Sequence, residues 1–258
     1  MSYTALIAQC AALVTPGTRT EGYEDIAPDD ADLLDELHAF VSATHDPISY
    51  DHLWDAFPIT DARADGTVWD VYSDPGEGAP AYTYVFGDDQ CGEYDGEGDC
   101  YNREHLWAQN WTSGGSPFKS DLNHILPTDG WVNNIRGNLP FGLVSTSNYM
   151  ITNGSKRGSS ALCAYQGQVF EPVDAYKGDI ARALLYVHVR YTGEDADWGG
   201  SEGTTGADLL PWFKRVLVAW SLGDPVSDKE RARNDAVEGI QGNRNPFIDH
   251  PEFVCGAL

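Results

Sequence analysis

Forty carboxylates against sixteen Lys and Arg leave this 258-residue chain with a formal charge of −24. No other feature constrains the fold as strongly, because acids at this density must face water while the apolar residues gather beneath them. The length and a hydrophobic content of 41% suffice for a core that needs no metal or disulfide. The acids are unevenly placed. Residues 1–100 hold 22 acids and two bases, residues 161–258 hold 15 and nine, and residues 101–160 between them hold three and five. A bulk negative field repels nucleic acid, yet the acidity stops at the centre of the chain, where a patch can still meet a polyanion. Only five of the sixteen bases are Lys, a balance that also suits a protein kept soluble in high salt, where screening shortens repulsion.

Charged residues at 22% and 30 aromatic side chains describe a globular chain rather than a disordered or fibrous one. No stretch approaches the roughly 18 unbroken apolar residues of a membrane span. The start, MSYTALIAQCAALV, is mildly apolar without a basic segment and makes a poor signal peptide. Among the cysteines, Cys91 and Cys100 close a short Gly- and acid-rich loop suited to a local disulfide, without zinc-like partners. A secreted or periplasmic protein is therefore expected, and the odd cysteine count leaves at least one thiol unpaired or paired between chains.

Residues 29–45 predict a helix with Leu33, Leu34, Leu37, Phe40 and Val41 on one face. Residues 67–73 and 81–86 predict a β-hairpin, although the apolar alternation of the first run is imperfect. The acidic stretch 87–99 fails the EF-hand pattern, since the sixth and twelfth places from Asp95 hold Cys100 and Leu106. It reads as a solvated loop in preference to a looser calcium site, which stays open. Residues 180–191 predict a buried helix or strand, with His188 a core histidine. Residues 207–222 predict a second amphipathic helix bearing Leu209, Phe213, Val216, Leu217 and Trp220, with Pro211 in its first turn. With neither a repeat nor a long linker, the expectation is an α+β (mixed α/β) fold in a single domain over 1–258. It would comprise an acidic, partly helical region at 1–66, a chemical core at 101–142 and C-terminal helices at 207–252.

Residues 101–142 combine the polar types that act on phosphodiesters. Glu104 is a hard oxygen ligand suited to magnesium or calcium, and His105 is a natural general base for water. On a strand the two would face opposite ways unless the chain twists or ends there. Asn133 offers a neutral carbonyl oxygen. Taken alone these signals are weak, because an adjacent Glu-His pair is common and an Asn in such a stretch is usually a cap or Asx turn.

Three separated blocks change the reading: REHLWAQNW at 103–111, DLNHILPTDGWVNNIRGN at 121–138, and DPVSDKERARNDAVEGIQGNRNPFIDHPE at 224–252. In this order they resemble the periplasmic and secreted bacterial endonuclease I family, non-specific nucleases with a ββα-metal (His-Me finger) core. The resemblance covers about 70–258 and is loose over 1–66. It implies a central ββα-metal motif surrounded by helices. It also implies His105 as the base that draws a proton from water, and Glu104 and Asn133 as ligands of one magnesium ion (Mg2+), with manganese or calcium substituting. The step from Pro127 to Asn133 matches the family's step from proline to its metal-ligand asparagine. Arg136 matches a family arginine with two open roles, a catalytic phosphate clamp or a buried pair that holds the helix. Asn123-His124 departs from the usual His-His or His-Asn pair, so no role carries over to them.

The substrates implied are DNA, the safer choice, and RNA, cleaved to 5′-phosphate ends by a monomer bound mainly to backbone phosphates and to no membrane. Arg103, Lys119, Arg136 and Lys156-Arg157 are the candidate phosphate contacts. Trp107, Trp111 and Trp131 can stack bases, with core packing expected for at least two. Asn243, Arg244, Asn245 and Asp249 read as polar scaffold. The rival classes are a non-catalytic acidic secreted module for calcium binding or adhesion, and a phosphatase. A phosphatase would need more carboxylates than Glu104, Asp121 and Asp129.

Overall fold

Leu33, Leu37 and Val41 recur at four-residue spacing and lie buried along one side of helix α1 (Leu33–Ala43), with Asp35 and Glu36 at its positive end. The computed structural model containing it describes residue 6, residues 8–10 and residues 22–258. The apolar start read above lies outside these, apart from those four positions. Helix α2 (Leu53–Thr60) buries Leu53, Ala56 and Phe57. The hairpin expected at 67–86 does not form. One antiparallel bridge, Thr67 to Val85, and one bond from Val68 N to the Tyr84 carbonyl are its remnant. The cause is Asp70, which broke the alternation: its buried carboxylate accepts the N–H groups of Tyr72 and Asp129 and bends the chain out of register.

Strands β1 (Tyr101–His105) and β2 (Ile125–Asp129) form an antiparallel ribbon that leads directly into helix α3 (Gly130–Arg136). A three-stranded antiparallel sheet follows, β3 (Val144–Met150), β4 (Lys156–Ser160) and β5 (Gln168–Glu171). The ambiguous run at 180–191 is helical: α4 (Lys177–Tyr191) is buried on nearly every side, including His188, whose Nδ1 meets the Ala207 carbonyl at 2.9 Å. The next helix begins later than its periodicity suggested. Thr204–Thr205 (β6) and Asp208–Leu209 (β7) pair as strands, so Leu209 is buried from a strand, and α5 (Pro211–Gly223) starts at its proline. A capping box of Ser227 and Glu230 opens α6 (Asp228–Gln241). Short helices α7 (Pro246–Asp249) and α8 (Phe253–Gly256) close the chain. The architecture is α+β.

Among the described residues two hydrophobic cores result. The larger gathers α1, α4, α5 and the segment 106–118. The smaller joins Leu53 and Phe57 of α2 to Tyr101, Ile125 and Val237. The β1–β2 ribbon lies between them, which fixes both of its faces. Polar residues of the C-terminal block fasten the tail beneath it. Arg244 holds Asp249 with both prongs, at 2.7 and 2.6 Å, and Asn245 caps α7. Asn243 donates to the Val41 carbonyl and the Tyr186 hydroxyl.

The expected disulfide Cys91–Cys100 is present, and a second, Cys10–Cys255, ties together residues 245 positions apart. Cys163 is the free, exposed thiol. The Cys91–Cys100 loop buttresses α3: Gly98 N donates to Asp129, and a Cβ at Gly130 would come within 2.8 Å of both Cys91 Sγ and Tyr94. Replacing both Cys91 and Cys100 with Ser releases this loop. The double variant is expected to lose about 2–3 kcal/mol in a urea titration, and an unchanged midpoint would rule out a stabilising role.

Candidate active site

Glu104 and His105 are the last two ladder residues of β1, opposite Leu126 and Ile125. Their side chains reach different partners, Glu104 toward Tyr72 and Arg136, and His105 toward the Lys119 carbonyl and Gln109. Both residues nonetheless line one cavity of about 210 Å³ with Asn133 and Arg136 of α3, Arg103, residues 108–110 and residues 137–138. The local sequence explains how α3 is aimed. Asp129, last in β2, caps the helix by accepting the Val132 N–H, while its other oxygen takes the Tyr84 hydroxyl at 2.6 Å and the Gly98 N–H at 2.8 Å. Gly137 ends the helix with φ of 58°.

His105 is held at both nitrogens. Nε2 lies 3.1 Å from the Lys119 carbonyl, which can only accept, so that nitrogen carries the proton. Nδ1 is then the lone-pair nitrogen, accepting from Gln109 Nε2 at 3.1 Å. Burial, followed by the neighbouring His124, lowers the His105 pKa to about 3, and the imidazole is neutral in ordinary buffers. Glu104 is equally enclosed. Burial raises its pKa to about 7, against the pull of Arg136 at 3.1 Å and the Tyr72 hydroxyl at 2.8 Å.

Arg136 is 1% exposed, and its guanidinium is engaged with Glu104 and the carbonyls of His105, Leu106 and Leu139. Of the two roles left open for Arg136, these contacts are those of a buried pair, made with Glu104.

The donor set fits magnesium. Both bonds to Glu104 fall on Oε1, leaving Oε2 free of protein donors. Asn133 donates through Nδ2 to Asn102 at 2.7 Å, which leaves its carbonyl oxygen for a ligand. One carboxylate and one amide are too few for zinc or for a calcium cage. Magnesium accepts such a set because it keeps most of its waters. The described residues contain no group of three or more His, Cys, Asp or Glu suited to a metal. In the acidic loop the carboxylates serve the backbone instead: Asp99 accepts from Asp95 and Gly96, and Asp89 from Val85.

Other predicted residues divide. Arg103 stacks 3.5 Å from the Tyr50 ring centroid and 4.5 Å from that of Trp54, and Lys119 Nζ lies 4.7 Å from Tyr50, so both cations flank His105. Lys156 pairs with Glu171 instead, and Arg157 turns to the Ile135 carbonyl. Trp107 and Trp111 are buried in the core, whereas Trp131 is partly exposed and donates to Tyr149. Sequence reasoning missed Tyr50, Tyr72, Asn102 and Gln109. Only Gln109, inside the first family block, had a signal.

The family model described as Endonuclease I matches residues 31–252, reaching into the acidic region where the motif blocks gave only a loose likeness. The chain is 34% identical over 256 residues to an extracellular ribonuclease of Bacillus amyloliquefaciens, covering 94% of this chain and 80% of that one. An extracellular ribonuclease of Bacillus subtilis (strain 168) is 33% identical over 262 residues, 98% and 82% of the two chains. An extracellular deoxyribonuclease of Aeromonas hydrophila is 26% identical over 161 residues, 62% and 59% of the two.

His124, stacked on Phe118 beneath the cavity, gives a pH prediction. Burial lowers its pKa to about 4, so between pH 4 and 6.5 the unfolded chain binds a proton that the native state does not. Stability should rise with pH across that window, and this residue should contribute a slope of about 1.4 kcal/mol per pH unit. In His124→Gln the stability-versus-pH curve from urea titrations should be flatter than wild type by that amount. Parallel curves would show that His124 ionises normally in the fold.

Proposed function

Because the chain belongs to the endonuclease I family, we propose that it is a non-specific endonuclease in which His105 is the general base and Glu104 and Asn133 hold one magnesium ion. Phosphodiester hydrolysis is the activity of the family. The observation that supports the finer reading is the setting of His105: Nε2 on the Lys119 carbonyl, Nδ1 on the Gln109 amide, and Gln109, Glu104 and Asn133 lining one cavity with it.

Nδ1 accepts the proton as water attacks phosphorus, once Gln109 yields its place to that water. A magnesium ion, when bound, supplies Lewis-acid stabilisation of the charge that develops on the leaving 3′ oxygen. Glu104 must be ionised to hold the ion, and Arg136 draws it toward that form and orients it. Arg103 and Lys119, fixed against Tyr50, hold the backbone phosphates beside the scissile one. Products carry 5′-phosphate ends. Contacts of this kind read no sequence, which agrees with relatives named for both RNA and DNA cleavage. The two relatives covering most of the chain are named ribonucleases, which moves the weight from DNA toward RNA, with both expected as substrates. Two disulfides and relatives named extracellular or periplasmic support secretion.

Purified protein should degrade both supercoiled plasmid and RNA with magnesium, and stop on addition of EDTA. His105→Ala should lower the rate about 10²–10⁴-fold without unfolding. Cleavage that survives EDTA, or a fully active His105→Ala, would sink the mechanism. Adding salt should inhibit only gently, because screening the −24 charge partly offsets the weakened phosphate contacts. Steep inhibition from low ionic strength upward would refute the salt-tolerant reading.

A further inference from the structure

His124 has no part in the reaction above, yet it lies directly under His105, with ring centroids 5.6 Å apart. It is fully buried. Its Nε2 is 3.0 Å from the Phe118 carbonyl, and since a carbonyl only accepts, that nitrogen bears the proton. His105 makes the same contact with the next carbonyl, that of Lys119. Two imidazole N–H groups thus fasten two successive carbonyls of one short 3₁₀ turn, Phe118–Ser120. The His124 ring also stacks on the Phe118 ring, at 4.5 Å and 26°, and Phe118 in turn touches His105. The turn's other ties include Lys119 N to the Gly115 carbonyl, Ser120 N to the Pro117 carbonyl, Asp121 N to the Phe118 carbonyl and Ser120 Oγ to the Ile48 carbonyl.

Packing alone does not account for this histidine. Its Nδ1 is buried with no hydrogen-bond partner, a cost that Leu or Phe would not incur at the same place. What an apolar side chain would lack is the Nε2 donor.

We propose that His124 is a positioning residue for His105: by holding the Phe118 carbonyl and ring, it keeps the adjacent Lys119 carbonyl aimed at His105 Nε2–H, which leaves Nδ1 as the free base. The proposal rests on the reading of His105 as that base. If the turn shifts, Nε2–H loses its acceptor and the proton can move to Nδ1, a tautomer that cannot take a proton from water there. The loss falls on the chemical step. Substrate binding through the Arg103 and Lys119 side chains, which rest on the Tyr50 ring, is largely spared.

The test compares His124→Leu with His124→Gln, whose amide can restore the donor. His105 tautomers are read by ¹H–¹⁵N NMR of the substrate-free protein, and kcat and KM are measured on a labelled oligonucleotide with magnesium. In His124→Leu, His105 should pass from a pure Nε2–H form to a mixture, kcat should fall about tenfold or more, and KM should stay within about threefold. His124→Gln should recover most of both. A folded His124→Leu with the wild-type tautomer and kcat within about twofold overturns the proposal. If that variant does not fold, His124→Phe keeps a ring against Phe118 while removing the donor, and a wild-type tautomer with kcat within about twofold there overturns the proposal equally. Because the tautomer is read without substrate, a wild-type protein that cleaves nothing would sink the nuclease mechanism while leaving the positioning result to stand or fall separately.

Discussion

One guanidinium, sealed from water, joins the end of a strand to the end of a helix. Arg136 Nη1 bonds Glu104 and the His105 carbonyl, Nη2 bonds the Leu106 carbonyl, and Nε bonds the Leu139 carbonyl. The rings of Phe141 and Trp111 cover its faces at 4.6 and 5.4 Å. A buried ion pair of this kind adds little net stability, because desolvating both charges offsets their attraction. Its worth here is orientation. Burial raises the Glu104 pKa to about 7 even with the guanidinium and the Tyr72 hydroxyl pulling it down. Both aim the carboxylate so that one oxygen remains for a ligand. Lysine could not replace this arginine, since a point charge cannot serve a carboxylate and three carbonyls at once.

The large negative charge and a polyanionic substrate are reconciled by distance. Most acids lie in the first 100 residues, yet the segment around Tyr50 folds back against β1 and gives aromatic surface, not charge, to the side of His105. Arg103 and Lys119 are held there by ring faces. Asp51 is 3.6 Å from Arg103 but 95% exposed, so water screens that pair and leaves the cation available. Field at a distance is repulsive and salt-screened, whereas contact at the site is attractive and local.

Much of this was legible in the sequence, for identifiable reasons. Helices α1 and α5 announced themselves by periodic apolar residues, and Cys91–Cys100 by proximity. Glu104, His105 and Asn133 came from motif blocks, and the structure brings all three to one cavity. What stayed hidden depends on contacts that leave no local pattern. The Lys119 carbonyl that fixes the His105 tautomer is backbone, common to every residue type. Tyr72 and Tyr50 reach the site from 32 and 55 positions before Glu104 and His105, and Cys10 meets Cys255 across nearly the whole chain. The failed hairpin was foreshadowed by Asp70, whose burial was not: an acid on a strand face reads as solvent-facing until its two N–H donors are known.

Glu104 and His105 are neighbours with opposite needs. The carboxylate must be charged to hold a cation, and the imidazole must be neutral to take a proton. A shared environment would favour only one of them, because burial neutralises both. The fold separates them by giving each its own polar partners: a guanidinium and a hydroxyl for Glu104, and a backbone carbonyl and an amide for His105. That separation follows from the strand itself, because neighbours in a ladder face opposite ways. It also requires the turn at 118–120 to return beneath the His105 face. The position of the ribbon between two cores meets both conditions. The architecture thus acts on the chemistry through the two faces of β1.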